Sequence, residues 1–395
     1  QNRADLGNDL TDRLEDNLLF RGEGPPITTT YRNGFVSSGR GDIRTMTANF
    51  TSTASFNPRP WLNSKTTLGV QYVDFKQYTN NASGTDLPPG TQTAGAGATP
   101  GASQATTLQR TLGQFIEQVF AFNDRLFVTG ALRSDQNSAF GTDFQSVIYP
   151  KIGASWVVSE EPWFKAPRVM DNLRLRFSYG KSGVQPGPND ALRTFAASSP
   201  NIRGLDVPAV VFGALGNSGL RPEQSAELET GLEMRFFKGR LSFDYTYYYK
   251  QNKDALISAI VPPSLGAAVS VRQNLGAVRN LGHEIVINAQ VMDKSWLGID
   301  LTLTGSINEN RVLSLGNTPP QLGTTIRTLA GYPLFGLWAR SIQGWNDKNK
   351  DGILTYNVDA SLNEVFVDTA FSFRGYSAPR EFLALTSGFD LFNRN

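Results

Sequence analysis

The chain has 395 residues, 39% of them hydrophobic, a mean hydropathy of −0.28 and a formal net charge of +2. No apolar run approaches the roughly 18 residues of a spanning helix, and the near-neutral charge argues against a nucleic-acid surface. With no cysteine and one histidine, His283, thiol chemistry, disulfides and His-rich zinc sites are excluded. The length exceeds one ordinary soluble domain but suits a large barrel, and barrels pass a hydropathy scan unseen because lipid-facing and lumen-facing residues alternate.

Gln1–Leu6 is polar, without the apolar segment of a leader, and reads as a start inside a larger protein. Residues 1–41, punctuated by Gly24-Pro25-Pro26 and Asn33-Gly34, read as mostly loop. Strands are predicted over Thr45–Phe56 and Lys65–Tyr78, joined by Asn57–Ser64. Asn80–Ala105 is rich in Gly, Ala, Thr, Ser and Pro and is expected to be a mobile loop, having little apolar surface to offset its ordering entropy. Strands follow at Thr111–Phe122 and Leu126–Arg133 around the tight Asn123–Arg125. A loop at Ser134–Ser146 leads to strands at Lys151–Ser159 and Leu173–Gly180. Ser182–Pro222 reads as a second long loop.

The clearest pattern lies in Glu223–Lys250. Ala226, Leu228, Thr230, Leu232 and Met234 alternate with Ser225, Glu227, Glu229, Glu233 and Arg235. After Phe237–Arg240, Leu241, Phe243, Tyr245, Tyr247 and Tyr249 alternate with Ser242, Asp244, Thr246 and Lys250. A period of two with a Gly-containing break is an antiparallel hairpin. Its arms reach the roughly 9–11 residues that cross a bilayer. Gln251–Gly282 reads as a third long connection, Glu284–Val291 and Leu297–Asn310 as a further hairpin, residues 317–375 as an irregular long-loop region, and Glu381–Asp390 as a last strand. Short and long connections thus alternate, and Trp61, Phe120, Phe122, Phe236, Phe237 and Trp296 gather at the short ones. Short turns at one rim, long loops at the other and an aromatic girdle are outer-membrane barrel features. The predicted fold is all-β: an antiparallel transmembrane β-barrel, here a partial barrel of roughly a dozen long strands. The alternative is a soluble or surface-attached β-rich glycan-binding module.

Several segments, collinear from about residue 40 onward, carry a family resemblance. Phe127–Gly141, Tyr149–Trp156, Leu173–Gly180, the strand opening Leu220-Arg221-Pro222-Glu223, and Asn274-Leu275-Gly276 with Asn280-Leu281-Gly282-His283-Glu284 resemble the barrel motifs of SusC/RagA-type TonB-dependent outer-membrane transporters. The resemblance implies a barrel of about 22 strands around an N-terminal plug. On that reading residues 1–395 are part of one barrel domain in the bacterial outer membrane, without plug, first strands or closing C-terminal strands. The resemblance also implies TonB-dependent import of an oligosaccharide or peptide, contact with the TonB complex through a missing N-terminal part, outer-membrane lipid around the wall, and a SusD-like surface lipoprotein as partner.

No catalytic or cofactor-binding constellation appears; no nucleophile elbow or Gly-rich phosphate loop is present, so enzyme activity is not expected. His283 lacks an acid or second His fixed nearby and reads as structural. Glu227, Glu229, Glu233, Arg235, Arg174 and Arg176 fall on polar strand faces and are the candidate lumen-lining residues. Asp347, Asn349 and Asp351, followed by Gly352, match the start of a calcium loop, with Ile353 offering its carbonyl. Its twelfth position is Val358 rather than Glu, with Asp359 one place late, and the same residues make a polar turn. Ca2+ is the only ion suggested.

Overall fold

Polar–apolar alternation is a request for a wall between two solvents, and the backbone answers with one continuous ladder. The computed structural model describes residues 1–23, 32–140, 146–260, 264, 270–316, 319–356 and 362–392. The strands are β1 (Asn2–Leu19), β2 (Phe35–Arg59), β3 (Leu62–Thr85), β4 (Thr99–Phe122), β5 (Leu126–Asn137), β6 (Val147–Val157) and β7 (Met170–Val184). Next come the short β8 (Thr194–Ser198), β9 (Asn201–Ile202), β10 (Leu205–Asp206) and β11 (Ala209–Ala214), then β12 (Glu223–Phe236), β13 (Leu241–Ile260), β14 (Ser270–Lys294) and β15 (Leu297–Ser314). The last are β16 (Gln321–Leu322), β17 (Ile326–Thr328), β18 (Gly336–Trp345), β19 (Val365–Gly375) and β20 (Glu381–Leu391).

Twelve of these form a single sheet in the order β1-β2-β3-β4-β5-β6-β7-β12-β13-β14-β15-β20, each antiparallel to the next. It is a meander with β1 and β20 as its two edges, and among the described residues no second sheet of comparable size is present to pack on it as a sandwich would require. Up-and-down order fixes the parity of the connections. Those after β2, β4, β6, β12 and β14 share one rim, and those after β1, β3, β5, β7, β13 and β15 share the other. The turns at Asn123–Arg125 and Phe237–Arg240 lie at the first rim, the segments between β7 and β12 and between β15 and β20 at the second, as the loop alternation predicts. Aromatic rings collect at the short-turn rim: Trp61 stacks on Phe122 at 6.2 Å, Phe236 lies 6.5 Å from Phe237, and Trp156 6.0 Å from Trp163.

The ladders run further than the sequence pattern. Residues 1–41 are not mostly loop, because β1 pairs with β2 from Asn2↔Ser52 to Leu19↔Phe35. One face of β1 interleaves Leu6, Leu10, Leu14 and Leu18 with Asn8, Asp12 and Asp16, which dilutes its period. Asn80–Ala105 is not one mobile loop: β3 and β4 pair out to Thr85↔Thr99, leaving residues 86–98 as the connection. Gln251–Gly282 is likewise mostly strand, with β13 and β14 paired to Ile260↔Ser270 past a shift at Lys253–Leu256, where Asp254 takes φ 55. Residues 317–375 are not wholly irregular; they contain the four-stranded sheet β16-β17-β18-β19. His283 lies inside β14 rather than before a strand. In each case a paired backbone satisfies its polar groups whatever the side chains are, so the ladder extends where the alternation has already stopped.

The resemblance-bearing motifs sit where two loops are pinned to the wall. The Asn274 amide oxygen accepts from the Arg221 N–H at 2.8 Å, and its Nδ2 donates to the Arg221 and Asp254 carbonyls at 2.8 and 3.0 Å. Leu220 beside them is fully buried.

Candidate functional site

The register places each candidate residue on one face of the sheet. On β12, Glu233 stands opposite Arg174 of β7 and Asp244 of β13, and Gly231 opposite Arg176 and Thr246. Side-chain bonds show that these residues share that face. Arg176 Nη2 donates to Asp244 Oδ1 at 2.6 Å and to Thr246 Oγ1 at 3.2 Å. Its Nε lies 3.2 Å from Glu233 Oε1, an ion pair without an aligned hydrogen bond. Arg174 Nε donates to Ser155 Oγ at 2.7 Å, and its Nη1 stands 3.7 Å from Glu233 Oε2. Leu241, Phe243, Tyr245 and Tyr247 therefore occupy the opposite face, with Leu175, Leu228 and Leu232.

Glycine makes this arrangement flat. A Cβ on Gly231 would stand 2.8 Å from the Tyr245 carbonyl and 3.1 Å from Arg176 Nη2, so the missing side chain is where the guanidinium lies. Gly113 accommodates Arg133 in the same way, and Gly69 and Gly282 lie under the rings of Phe115 and Tyr248. Long side chains laid along the wall leave the space in front of it open.

The same face carries further pairs. Lys250 Nζ bonds Glu227 Oε2 at 3.0 Å, Lys151 Nζ stands 3.7 Å from Glu117 Oε2, and Arg133 reaches Asp135 at 2.8 Å and Gln71 at 2.9 Å. The side chains of these pairs range from 14% to 58% exposed, so each pair contributes of the order of 0.2–1 kcal/mol; their consequence is a face whose charges are matched. Glu229 joins Arg174 and Arg176 around a trough of about 280 Å³, and Arg235 joins Arg174 and Glu233 around another of about 690 Å³. Glu117, Arg133, Asp135, Lys151, Asp244 and Lys250 escape a reading strand by strand. Lys250 faces Glu227 directly, Lys151 and Glu117 flank Ala131 of β5, Asp244 lies diagonal to Arg176 across β12, and Asp135 stands two residues from Arg133 on one strand, so most of this signal appears only once neighbouring strands are aligned.

The remaining candidates lie elsewhere. Asp347 accepts the Lys350 N–H at 2.7 Å and the Gly352 N–H at 3.0 Å, Asp351 accepts the Ile353 N–H at 2.7 Å, and Asn349 is bonded to Asp351. The buried Glu364 closes the loop from below, taking the N–H groups of Lys348, Asn349 and Thr355. These are the bonds of an Asx-type turn. Among the described residues no three His, Cys, Asp or Glu side chains gather as a metal site; Val358 and Asp359 lie outside the described residues. His283 sits on the apolar face, its Nδ1 2.7 Å from the Tyr245 hydroxyl and its ring against Tyr247.

A meander of long antiparallel strands with one apolar face, one charge-matched face and strictly sorted loops is the wall of a transmembrane β-barrel. The chain belongs to the family described as TonB dependent receptor-like, beta-barrel, whose model matches residues 2–384. Barrels of this family reside in the bacterial outer membrane. The chain is similar to TonB-dependent receptor P26 of Formosa agariphila, 27% identical over 286 residues that cover 64% of this chain and 29% of that protein. It is also similar to TonB-dependent receptor SusC of Bacteroides thetaiotaomicron, 26% identical over 208 residues, covering 50% of this chain and 20% of that protein. Among solved structures, the RagAB peptide importer in its open-open state superposes with a TM-score of 0.78 at 18% identity, over 99% of this chain and 43% of that one. The chain thus spans less than half the length of these relatives.

Proposed function

We propose that this chain forms about half of the barrel wall of a TonB-dependent importer. The charge-matched face, with Glu227, Glu229, Glu233, Arg235, Arg174 and Arg176, lines the wet interior, where the full-length protein would hold a plug, and the apolar face meets lipid. The cargo would be an oligosaccharide or peptide too large for a porin. Energy would arrive through TonB, and a SusD-like lipoprotein would cover the long-loop rim. The observation that carries this reading is the conjunction of loop parity with a self-neutralised polar face. A sheet built to bury its polar face in a protein core has no use for so many half-exposed ion pairs.

The test is uptake by cells carrying the full-length gene, compared with a deletion strain. Accumulation of a labelled oligosaccharide or peptide pool that stops when the proton-motive force is collapsed is expected. Passive entry that survives its collapse would point to a porin instead. Recovery of the protein in a detergent-free soluble fraction would remove the membrane from the account and favour the alternative, a β-rich glycan-binding module.

A further inference from the structure

Where the sheet sets two carboxylates directly opposite each other, it places a cation against both. On the polar face Glu233 and Asp244 are ladder partners, and Arg176 reaches them at 3.2 and 2.6 Å. On the other face Asp12 and Asp42 are partners, and Arg40 reaches them at 3.0 and 3.7 Å. Two pairs of cations on that other face are treated differently. Arg44 of β2 stands directly opposite Lys76 of β3, and Arg279 of β14 stands directly opposite Arg311 of β15.

Register fixes the side they occupy. Arg279 and Arg311 fall in step with Ile285, which faces Tyr245 on the apolar face. Lys76 falls in step with Val70 and Tyr72, and alternates with Gln71, which Arg133 binds on the polar face. The nearby carboxylates are committed. Asp42 is held by Arg40, and Asp74 by Arg110 at 3.0 Å. Among the described residues neither Arg44 nor Lys76 has an ion pair; Arg44 Nε donates to Asn8 Oδ1 at 3.2 Å. Arg279 and Arg311 share the single Glu309, at 3.1 and 3.7 Å. Arg44, Lys76 and Arg311 are exposed. Like charges directly opposite, with Cβ atoms about 4.5–5.5 Å apart, repel each other. An anion set between them turns that repulsion into attraction.

The four cations stand at one height. Each is about 14–15 residues above the short-turn end of its strand, which at about 3.3 Å per residue and a tilt near 40° is roughly 35–38 Å. A bilayer measures about 30 Å across its hydrocarbon and about 40–45 Å with its headgroups. Counted from the end that carries Trp61 and Trp296, this height lies among the headgroups of the far leaflet, on the long-loop side. Tyr72 of β3 and Tyr249 of β13 lie below the cations on the same face, as amphipathic rings do at such a boundary.

We infer that these two cation pairs bind the phosphate groups of an outer-leaflet glycolipid. One phosphate has acceptor oxygens enough for two cationic side chains at once, and the acyl chains of the same molecule continue down the apolar face. Basic clusters at the edge of a membrane wall hold anionic headgroups in this way. A soluble anion would gain the charge contacts without the chains. The inference rests on the reading that the apolar face meets lipid, and adds which lipid the wall selects and in which leaflet.

The experiment uses the full-length protein, purified in detergent, with bound lipid counted by native mass spectrometry. The probes are bisphosphorylated lipid A, the same lipid A with its phosphates removed, and inorganic phosphate as competitor. Lipid A should be retained at least fivefold better than its dephosphorylated form, and inorganic phosphate at equal concentration should not displace it. R44Q/K76Q and R279Q/R311Q should each lose about half of the bound lipid A, and the fourfold variant should retain it no better than the dephosphorylated form. The two pairs lie on separate hairpins, so either double variant tests the inference if the other fails to assemble. Equal retention of both lipids, unchanged retention in every variant that assembles, or displacement by inorganic phosphate would each overturn it. Membrane-inserted protein with energised uptake and no preference for phosphorylated lipid removes these sites and keeps the importer, whereas protein recovered without detergent removes both.

Discussion

The β12–β13 hairpin and the β3–β4 hairpin are both long, both antiparallel and both fully paired, yet only the first announces itself in the sequence. In β12–β13 each residue faces one of two different solvents, and selection by each writes Leu228, Thr230, Leu232 and Met234 against Glu227, Glu229, Glu233 and Arg235. The upper part of β3–β4, from Asn80↔Gln104 to Thr85↔Thr99, is made of Asn, Ala, Ser, Gly, Thr, Gln and Pro. A strand of 24 residues, as β3 and β4 both are, extends roughly 80 Å at about 3.3 Å per residue, far more than a bilayer requires. Its upper part has water on both faces. Alternation disappears because the two faces no longer differ, while the backbone goes on pairing because the lower ladder has already set its register.

The comparison breaks most visibly in the wall. Leu232 pairs with Leu175 and Tyr245 on the apolar face, and its neighbour Glu233 sits in the Arg174–Arg176 cluster on the other. Leu232→Arg should cost about 2–4 kcal/mol if it lies near the bilayer midplane, and should remove most of the heat-modifiable, folded protein from the outer membrane. Glu233→Gln should assemble at near-normal levels. Equal yields would mean that the apolar face does not meet lipid.

A smaller effect is expected at Gly231. Gly231→Val brings branched carbon against the Tyr245 carbonyl and displaces the Arg176 guanidinium. Overpacking of this kind costs roughly 1–3 kcal/mol, which should appear as a lower temperature for the loss of heat-modifiable mobility. Gly130, on the other face of β5, meets nothing within 4 Å at its Cβ position, so Gly130→Ala should leave that temperature unchanged. A similar loss at both positions would show that strand propensity, and not room for the guanidinium, governs Gly231.

Below this lies Asn274. Asn274→Ala removes three hydrogen bonds that tie residues 221 and 254 together, each worth about 1 kcal/mol net. Amide exchange should accelerate in residues 217–222 while the temperature of barrel unfolding stays nearly fixed. A global shift without local acceleration would place Asn274 in the wall's folding rather than in the pinning of a loop.

These effects track what was legible. The barrel class, the loop parity, the two faces of β12–β13 and the shared face of Arg174, Arg176 and Glu233 follow from periodicity, because membrane and water impose it residue by residue. The partners Asp244, Lys250, Glu117 and Lys151 do not, because a salt bridge across strands depends on register, and register is set by bulges such as the one at Asp254 and by turn geometry. Residues 1–41 and 80–105 pair despite a loop-like composition, because a backbone ladder needs no apolar face to continue. At Asp347–Gly352 the carboxylates accept backbone N–H groups, a pattern that a polar turn and a cation loop share.

The smallest effect should come from the upper ribbon itself, and it sharpens the comparison most. Residues 80–104 can be excised and the strands rejoined through an Asn-Gly hairpin turn, since Thr79 and Ala105 are direct partners in the ladder and two-residue turns of this type match strand twist. The excised ribbon carries one buried apolar side chain, Leu87, against the Gly34 region of the neighbouring connection. What is lost is therefore mainly backbone pairing in water, where each bond gained is offset by one to solvent. The shortened protein should fold to within about twofold of the normal yield and keep its unfolding temperature. Removing Gly231–Thr246 with the same turn, an excision about two thirds as long that rejoins the direct partners Thr230 and Tyr247, should abolish assembly, because it takes lipid-facing Leu232 and Met234 and the Glu233 ion pairs together. If the ribbon deletion instead slows the appearance of the heat-modifiable form while leaving its final unfolding temperature unchanged, the upper ladder is a folding template for β2–β4 rather than an extension of it.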